Sequence, residues 1–258
     1  MEDLYSIFHR HFEILQADSK ALLDKVFHLR YQVYCVENQF EKSSHFPDNR
    51  EMDIYDTRSL HSLIKHNDSN LSAGAVRLIL PDPVSPQVEF PIESACKQFF
   101  DQTILKSQVF PRETMGEISR FASSKKFKKQ ITQECVDCKP TSEGQQDRVC
   151  HSLLLPHIPI GLFAACVEMA AKAGITHWYA VMEATFIRFL ARFGIEFQAL
   201  GPAVEYHGKR VPCYGEIDAI LSDIYRKRPD VWEIITDQGR VWPLNGYVTR
   251  GLRATVSC

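Results

Sequence analysis

Apolar residues recur along this 258-residue chain in two rhythms, one helical and one strand-like. Leu22, Leu23, Val26, Phe27, Leu29, Val33 and Tyr34 fall at helical spacing, and Asp18-Ser19 ahead of them offers side-chain oxygens to cap the first turn. The spacing predicts a helix running to about Cys35 and packed on a sheet. Residues 37–56 are polar and read as a loop. Leu60 to Lys65 and Ser72 to Leu80 predict two strands joined by the turn His66-Asn67-Asp68-Ser69-Asn70. Pro81, Pro83, Pro86 and Pro91 break regular structure before a short helix over Ile92 to Leu105. Glu117 to Ala122 predicts another strand. Residues 130 to about 157, with their Ser, Thr, Gln, Cys and Pro, read as an irregular insertion.

The second half has a clearer beat. A helix from about Pro159 to Ala173 stops at Gly174, a strand follows from Ile175 to Met182, and a helix from Ala184 to Phe193 stops at Gly194 before a strand over Ile195 to Leu200. Helix, glycine and strand repeated twice predict an α/β fold. Val204-Glu205-Tyr206 reads as a further strand and Glu216 to Arg226 as an amphipathic helix, with little pattern after Pro229. The expected organisation is one domain over 1–228, carrying the insertion, and a C-terminal extension over 229–258.

Composition narrows the function. Hydrophobic content of 45% and charged content of 24% suit a soluble globular protein, and a net charge of −2 argues against nucleic-acid binding through bulk charge. No apolar run is long enough to span a bilayer, and Met-Glu-Asp-Leu-Tyr lacks the features of an export signal. A cytoplasmic protein is expected, with its eight cysteines reduced. Cys135-Val136-Asp137-Cys138 and Cys150-His151 hold zinc-compatible ligands. A second closely spaced ligand pair is absent, so no metal is assigned.

Charge placed inside apolar runs is the informative signal. Met115-Gly116-Glu117-Ile118-Ser119-Arg120-Phe121 sets a carboxylate and a guanidinium three residues apart in a strand pattern. Arg77 sits in Ala75-Val76-Arg77-Leu78, Arg30 lies on an apolar helix face, and Asp53 and Asp56 follow in Glu51-Met52-Asp53-Ile54-Tyr55-Asp56. Burying such groups is costly unless they are paired or used. Because side chains alternate across a strand, Glu117 and Arg120 share a face only if a bulge intervenes, and a bulge would also release backbone N–H groups to bind an oxyanion. The alternative is a set of ion pairs that merely orders the sheet. Lys125, Lys126, Lys128 and Lys129 form a basic cluster, read either as a solvated loop or as a dock for an acidic partner. His177 and His207 read as structural.

Those residues, in that order, resemble the acyl-homoserine-lactone (autoinducer) synthases and the long-chain N-acyl amino acid synthases of the GNAT-like acyltransferase superfamily. Arg30, Tyr34 and Phe40 stand where the autoinducer synthases carry arginine, phenylalanine and tryptophan. Asp53, Asp56, Arg77 and the pair in Glu117-Ile118-Ser119-Arg120-Phe121 match the rest of the motif, and the resemblance spans about Leu22 to Ile224. Thr176-His177-Trp178-Tyr179-Ala180-Val181-Met182-Glu183, Leu200-Gly201-Pro202-Ala203-Val204-Glu205-Tyr206-His207-Gly208-Lys209-Arg210 and Arg228-Pro229-Asp230-Val231-Trp232 resemble the acyltransferases associated with PEP-CTERM/exosortase systems.

The resemblance implies a GNAT-like fold, a mixed twisted sheet flanked by helices. It implies acyl transfer to the amine of a small amino-acid-like acceptor, with Glu117 and Arg120 catalytic and with Arg30, Asp53, Asp56 and Arg77 at the substrate; Tyr34, Phe40 and Phe90 read either as core residues or as a lining of the acyl or acceptor channel, and Ser119 is grouped with the substrate-binding residues. Between Arg120 and Gly161 there is no Arg/Gln-x-x-Gly-x-Gly/Ala run to hold the pyrophosphate of coenzyme A at a helix N-terminus. The implied donor is therefore the phosphopantetheine thioester of acyl carrier protein, docking on Lys125, Lys126, Lys128 and Lys129, and no tightly bound cofactor is expected. Two other readings stay open: a lactone synthase using S-adenosylmethionine, from which Tyr34 and Phe40 depart, and a non-catalytic acyl-binding protein.

Overall fold

The structure is a computed structural model that describes residues 3–107, 111–137 and 155–244. In chain order it runs α1 (Leu4–His11), β1 (Phe12–Gln16), α2 (Lys20–Tyr31), a π-helical turn (Gln32–Glu37), β2 (Ser59–His66), β3 (Ser72–Ile79), α3 (Pro91–Cys96), α4 (Gln102–Ser107), β4 (Met115–Ser123), α5 (Lys125–Asp137), α6 (Ile158–Ala173), β5 (His177–Met182), α7 (Ala184–Ala191), β6 (Gln198–Ala199), β7 (Val204–Glu205), β8 (Lys209–Glu216), α8 (Ile217–Lys227) and α9 (Pro229–Thr236). The strand order is β1-β2-β3-β4-β5-β8-β6, with β7 pairing β8. Parallel β4–β5 and antiparallel β1–β2, β5–β8 and β6–β8 pairs make the sheet mixed, as the α/β, GNAT-like expectation requires.

The chain forms two compact units, and β3 and β4 contribute to each: residues 1–77 with 120–166, and residues 78–119 with 167–258. In the first unit, α2 starts where expected, with Ser19 Oγ accepting from Leu22 N at 3.3 Å. Its apolar face, Val26, Phe27 and Leu29, packs with Val33, Leu63, Ala75 and Ala122. The α-helix ends at Tyr31 rather than Cys35 and widens into the π-turn, where Asn38 N reaches back to Val33 O at 3.2 Å. Close approach explains Gly161: a Cβ there would lie 2.6 Å from the buried Phe8 ring. Residues 4–16, which carried no assignment from pattern, form α1 and an edge strand in register with β2, Phe12 facing His66. The lysine-rich segment is helical to Asp137, because Phe127 and Ile131, one turn apart, bury one face of α5. The expected insertion over 130–157 is thus helical at its start. Residues 138–154, including Cys138, Cys150 and His151, lie outside the described residues.

In the second unit, Gly174 and Gly194 have φ of 66° and 78°, the left-handed stops that the helix–glycine–strand pattern called for. Strand β8 escaped the sequence reading because Pro212 interrupts it. It nonetheless pairs β5 from Val211 to Glu216, with Pro212 opposite Val181 and its carbonyl accepting from Leu200 N at 2.8 Å. After Pro229 the chain forms α9 rather than a patternless tail, burying Val231, Ile234 and Ile235. No helix among the described residues is long and apolar enough to cross a membrane.

Candidate active site

Five residues singled out from the sequence meet in the first unit, joined by one that was not assigned. Arg30 projects from α2, Arg77 from β3 and Arg120 from β4, while Glu51, Asp53 and Asp56 come from the segment before β2. Arg30 Nε donates to Glu51 Oε2 at 2.5 Å, and its two Nη atoms grip Asp56 at 2.7 and 3.2 Å. Arg77 Nη1 donates to Asp53 Oδ1 at 2.6 Å and Asp56 Oδ1 at 2.8 Å. Arg120 Nε donates to Glu51 Oε1 at 3.0 Å, and its Nη2 to Asp53 Oδ2 at 3.1 Å. Three guanidiniums therefore face three carboxylates. Glu41 Oε1 lies 3.9 Å from Arg120 Nη2 as a fourth acid, and close pairing with this many charge-assisted bonds is what makes such deep burial tolerable.

The backbone organises the acids first. Asp53 Oδ1 accepts from Tyr55 N at 2.9 Å, and Asp56 Oδ2 accepts from Asp53 N at 2.7 Å, a reciprocal cap of the short 3-10 helix Ile54–Arg58. Burial alone would raise the carboxyl pKa values. The arginine bonds and charges outweigh it and hold Glu51, Asp53 and Asp56 below the usual carboxylate range. Burial, followed by the charges of Glu51 and Glu41, pushes the Cys35 thiol up to about 11. His61 Nε2 lies 3.6 Å from Asp56 Oδ1, and burial, with the nearby Arg30 charge, pushes its pKa down to about 4.

Arg120 has φ of 49°, a left-handed backbone inside a strand. For a non-glycine residue this costs on the order of 1–3 kcal/mol and persists only where surroundings enforce it. Here Glu51 and Asp53 hold the side chain, and its guanidinium lies over the Tyr34 ring at 5.3 Å. This departure from strand geometry falls at Arg120 itself, within β4. The π-turn has its own consequence: it carries Tyr34 to Arg120, with Phe40 6.1 Å from Tyr34, and carries Glu37 to α5. Glu37 accepts from Ser124 Oγ at 3.1 Å, Lys125 N at 2.8 Å and Lys126 N at 2.9 Å, so a carboxylate already occupies the N-terminal amides of that helix. Lys125, Lys126 and Lys129 are exposed, Lys128 is half-buried, and Lys125 Nζ reaches Asn38 Oδ1 at 2.5 Å.

Glu117 belongs to the second unit. It is 3% exposed, and Oε2 accepts from Ile92 N at 2.9 Å at the start of α3. That turn is fixed by Glu93, which accepts from Phe90 N at 2.9 Å and pairs with Arg112 at 2.5 Å. Phe90 is fully buried, with Arg112 5.2 Å from its ring centroid and the Tyr179 ring edge-on at 6.0 Å. Burial, then the Glu93 charge, raises the Tyr179 phenol well above its ordinary value, and burial followed by Glu117 raises the Cys96 thiol. Glu117 is thus a buried carboxylate whose charge is felt at Cys96 and Tyr179. Ser119 is half-buried on the same strand. Glu51 lay in view, two residues before Asp53 in a run of alternating acids. Glu37, Glu93, Arg112 and Tyr179 had no sequence signal beyond their type.

Residues 29–136 match the acetyltransferase (GNAT) domain. That domain and the mixed sheet flanked by helices define the class, an acyltransferase with the GNAT-like fold. Among solved structures the chain is similar to TofI in a ternary complex with an inhibitor and MTA, at 19% identity over 86% of this chain and 99% of that one, with a TM-score of 0.56. It is similar to BjaI, a CoA-dependent acyl-homoserine lactone synthase solved with SAM and isopentyl-CoA, at 16% identity over 88% of each chain and a TM-score of 0.53. It is also similar to FeeM, an N-acyl amino acid synthase from uncultured soil microbes, at 9% identity over 84% of this chain and 97% of that one, with a TM-score of 0.51. These identities establish a shared fold. No curated protein matches the chain.

Proposed function

We propose that this protein moves an acyl group from the thioester of acyl carrier protein to the amine of a small amino-acid-like acceptor. The amine nitrogen attacks the thioester carbonyl, a C–N bond forms, the C–S bond breaks, and the departing thiolate takes up a proton. Glu117 accepts the proton lost by the acceptor ammonium, directly or through a water. The observation that carries this reading is Glu117 itself: a 3%-exposed carboxylate that accepts from Ile92 N and whose charge bears on Cys96 and Tyr179, a buried carboxylate of the kind that serves as a base. Arg120, with its strained backbone, is the second catalytic candidate, placed to orient the carbonyl or the acceptor.

An amino acid carries both charges that the first-unit network can read. Asp53 and Arg120 are its more exposed members, with side chains 25% and 16% exposed, whereas Arg30, Arg77 and Glu51 are each 1% exposed. Asp53 would receive an ammonium and Arg120 a carboxylate. Arg30, Arg77 and Asp56 hold them in place, and the substrate-binding role extends to Tyr34 and Phe40, and to Phe90 and Ser119. The carrier-protein donor is supported by the missing pyrophosphate loop and by Glu37, whose carboxylate repels phosphate from the α5 N-terminus. Lys125, Lys126, Lys128 and Lys129 form the dock, a cytoplasmic location follows from that donor, and the C-terminal half resembles the PEP-CTERM/exosortase-associated acyltransferases.

A lactone synthase is the second reading, because TofI and BjaI, of the same fold, were solved with MTA and SAM. The test is incubation with long-chain acyl carrier protein or acyl-CoA and an amino acid mixture, following free thiol and product mass. Thiol release from the carrier protein with an N-acyl product, both lost in Glu117→Gln, supports the proposal. A product formed only with S-adenosylmethionine supports the lactone reading, and acyl binding without thiol release supports a silent binding protein.

A further inference from the structure

We propose that His11, His66 and Asp68 form a binding site for a single late first-row divalent cation of the zinc type. The side chains come from separate elements: His11 ends α1, His66 ends β2, and Asp68 sits in the turn to β3. Asp68 Oδ2 lies 3.3 Å from His11 Nδ1 and 3.7 Å from His66 Nε2, and the three ligand atoms are all within 4.8 Å of one another. A tetrahedral ion with bonds of about 2.0–2.1 Å needs ligand atoms about 3.3–3.4 Å apart. Two of the separations already meet or approach that value, and the imidazole pair needs only a modest closure.

The scaffold is built to keep these atoms together. Asn67 N donates to His11 O at 2.9 Å, and Asn67 Nδ2 donates to Arg10 O at 2.7 Å, which pins the turn to the end of α1. The His66 ring is wedged between Phe12 at 5.4 Å and Phe127 at 5.5 Å, and the two imidazoles lie nearly parallel, 10° apart. Ser69 holds the His66 ring in place: its backbone N–H donates to His66 Nδ1 at 3.3 Å and its Oγ lies 2.8 Å from the same nitrogen, while Nε2 is on the side of Asp68. The C-terminal carbonyl end of α1 favours a cation nearby.

Ligand chemistry selects the ion. Two imidazoles and one carboxylate suit zinc and its late-transition neighbours rather than magnesium or calcium, which prefer all-oxygen shells. The histidines are nearly buried while the Asp68 side chain is 64% exposed, so the ion would be reached from the turn, with water completing its shell. Binding would clamp α1 to the β2–β3 turn and stabilise the edge of the sheet. The site is independent of the acyl-transfer reading.

The full-length protein, stripped with chelator, is titrated with Zn2+ and with Co2+ as a spectroscopic probe. One equivalent of Zn2+ is expected to bind, with Tm raised by roughly 5–10 °C at a free ion concentration 100 times Kd. The cobalt complex should lack a thiolate charge-transfer band. Asp68→Asn, with its metal-bound Tm compared against its own metal-free Tm, should weaken binding at least tenfold. His66→Asn should abolish binding, and Cys135→Ser with Cys138→Ser should not affect it. Absence of binding to the unaltered protein, a thiolate band, or equal affinity in Asp68→Asn would each overturn the site.

Discussion

Replacing Glu51 by glutamine is the sharpest probe of the buried network. Among the described residues, Glu51 is the acid that pairs with both Arg30 and Arg120. The substitution keeps the side-chain volume but leaves three guanidiniums facing two carboxylates, and it turns an amide NH2 toward a guanidinium N–H. Breaking a buried ion pair from one side costs about 3–5 kcal/mol. Against a total stability of about 5–15 kcal/mol this is a large fraction. At about 2–4 °C per kcal/mol for a domain of this size, Tm should fall by roughly 6–20 °C. The assay is urea unfolding followed by tryptophan fluorescence. With a slope near 3 kcal/mol/M the midpoint should fall by roughly 1 M or more. Arg30→Met combined with Glu51→Leu should recover part of the loss, because apolar packing replaces both partners. A midpoint within about 0.2 M of the unaltered protein in Glu51→Gln would show that the charges are screened by water and that the reasoning from burial is wrong.

Other outcomes follow from the same geometry. His61, with its pKa depressed to about 4, remains neutral in the folded protein where the unfolded chain takes up a proton; stability should therefore fall as pH drops from about 6.5 toward 4, and His61→Phe should flatten that limb of a Tm-versus-pH curve. Glu51, Asp53 and Asp56 have depressed pKa values, so their contribution is complete above about pH 4.5 and is lost as pH falls further, giving a second, steeper acid limb. Glu37→Gln should cost about 1 kcal/mol through a weaker cap of α5, read by denaturant midpoint, and should raise use of acyl-CoA relative to acyl carrier protein in thiol-release assays. Reversing the charges of Lys126 and Lys129 should weaken carrier-protein affinity and flatten its salt dependence, whereas unchanged titrations would remove α5 as the dock.

Much of the architecture could be read because its signals are local. Ser19, Gly174 and Gly194 mark helix ends by cap chemistry that needs no partner, and the runs around Leu63, Val76 and Trp178 are strongly strand-forming. The missed elements depend on the rest of the chain. Strand β8 contains Pro212, which a single strand would reject, and is held by β5 and β6 on either side. The π-turn at Gln32–Glu37 keeps ordinary helical spacing and differs only in which carbonyl each amide finds. Short β1 is an edge strand supported by register with β2. The site divided the same way. Arg30, Arg77, Asp53, Asp56 and Arg120 were conspicuous because charge inside apolar runs demands partners, and they did find one another. The connecting acid was harder to single out: Glu51 looks like any other member of a polar loop until Arg30 and Arg120 close around it. Glu93 and Arg112 act through the shape of the turn that presents Ile92 N to Glu117, which no spacing rule reveals.

Single-turnover thiol release from long-chain acyl carrier protein in the presence of an amine acceptor is the decisive measurement, comparing the unaltered protein with Glu117→Gln and confirming by circular dichroism that both are folded. Loss of a positioned general base predicts a rate lower by about 10²–10⁴-fold in the variant, with acyl-carrier-protein affinity retained. A folded Glu117→Gln protein that releases thiol and forms N-acyl product at the unaltered rate would contradict it.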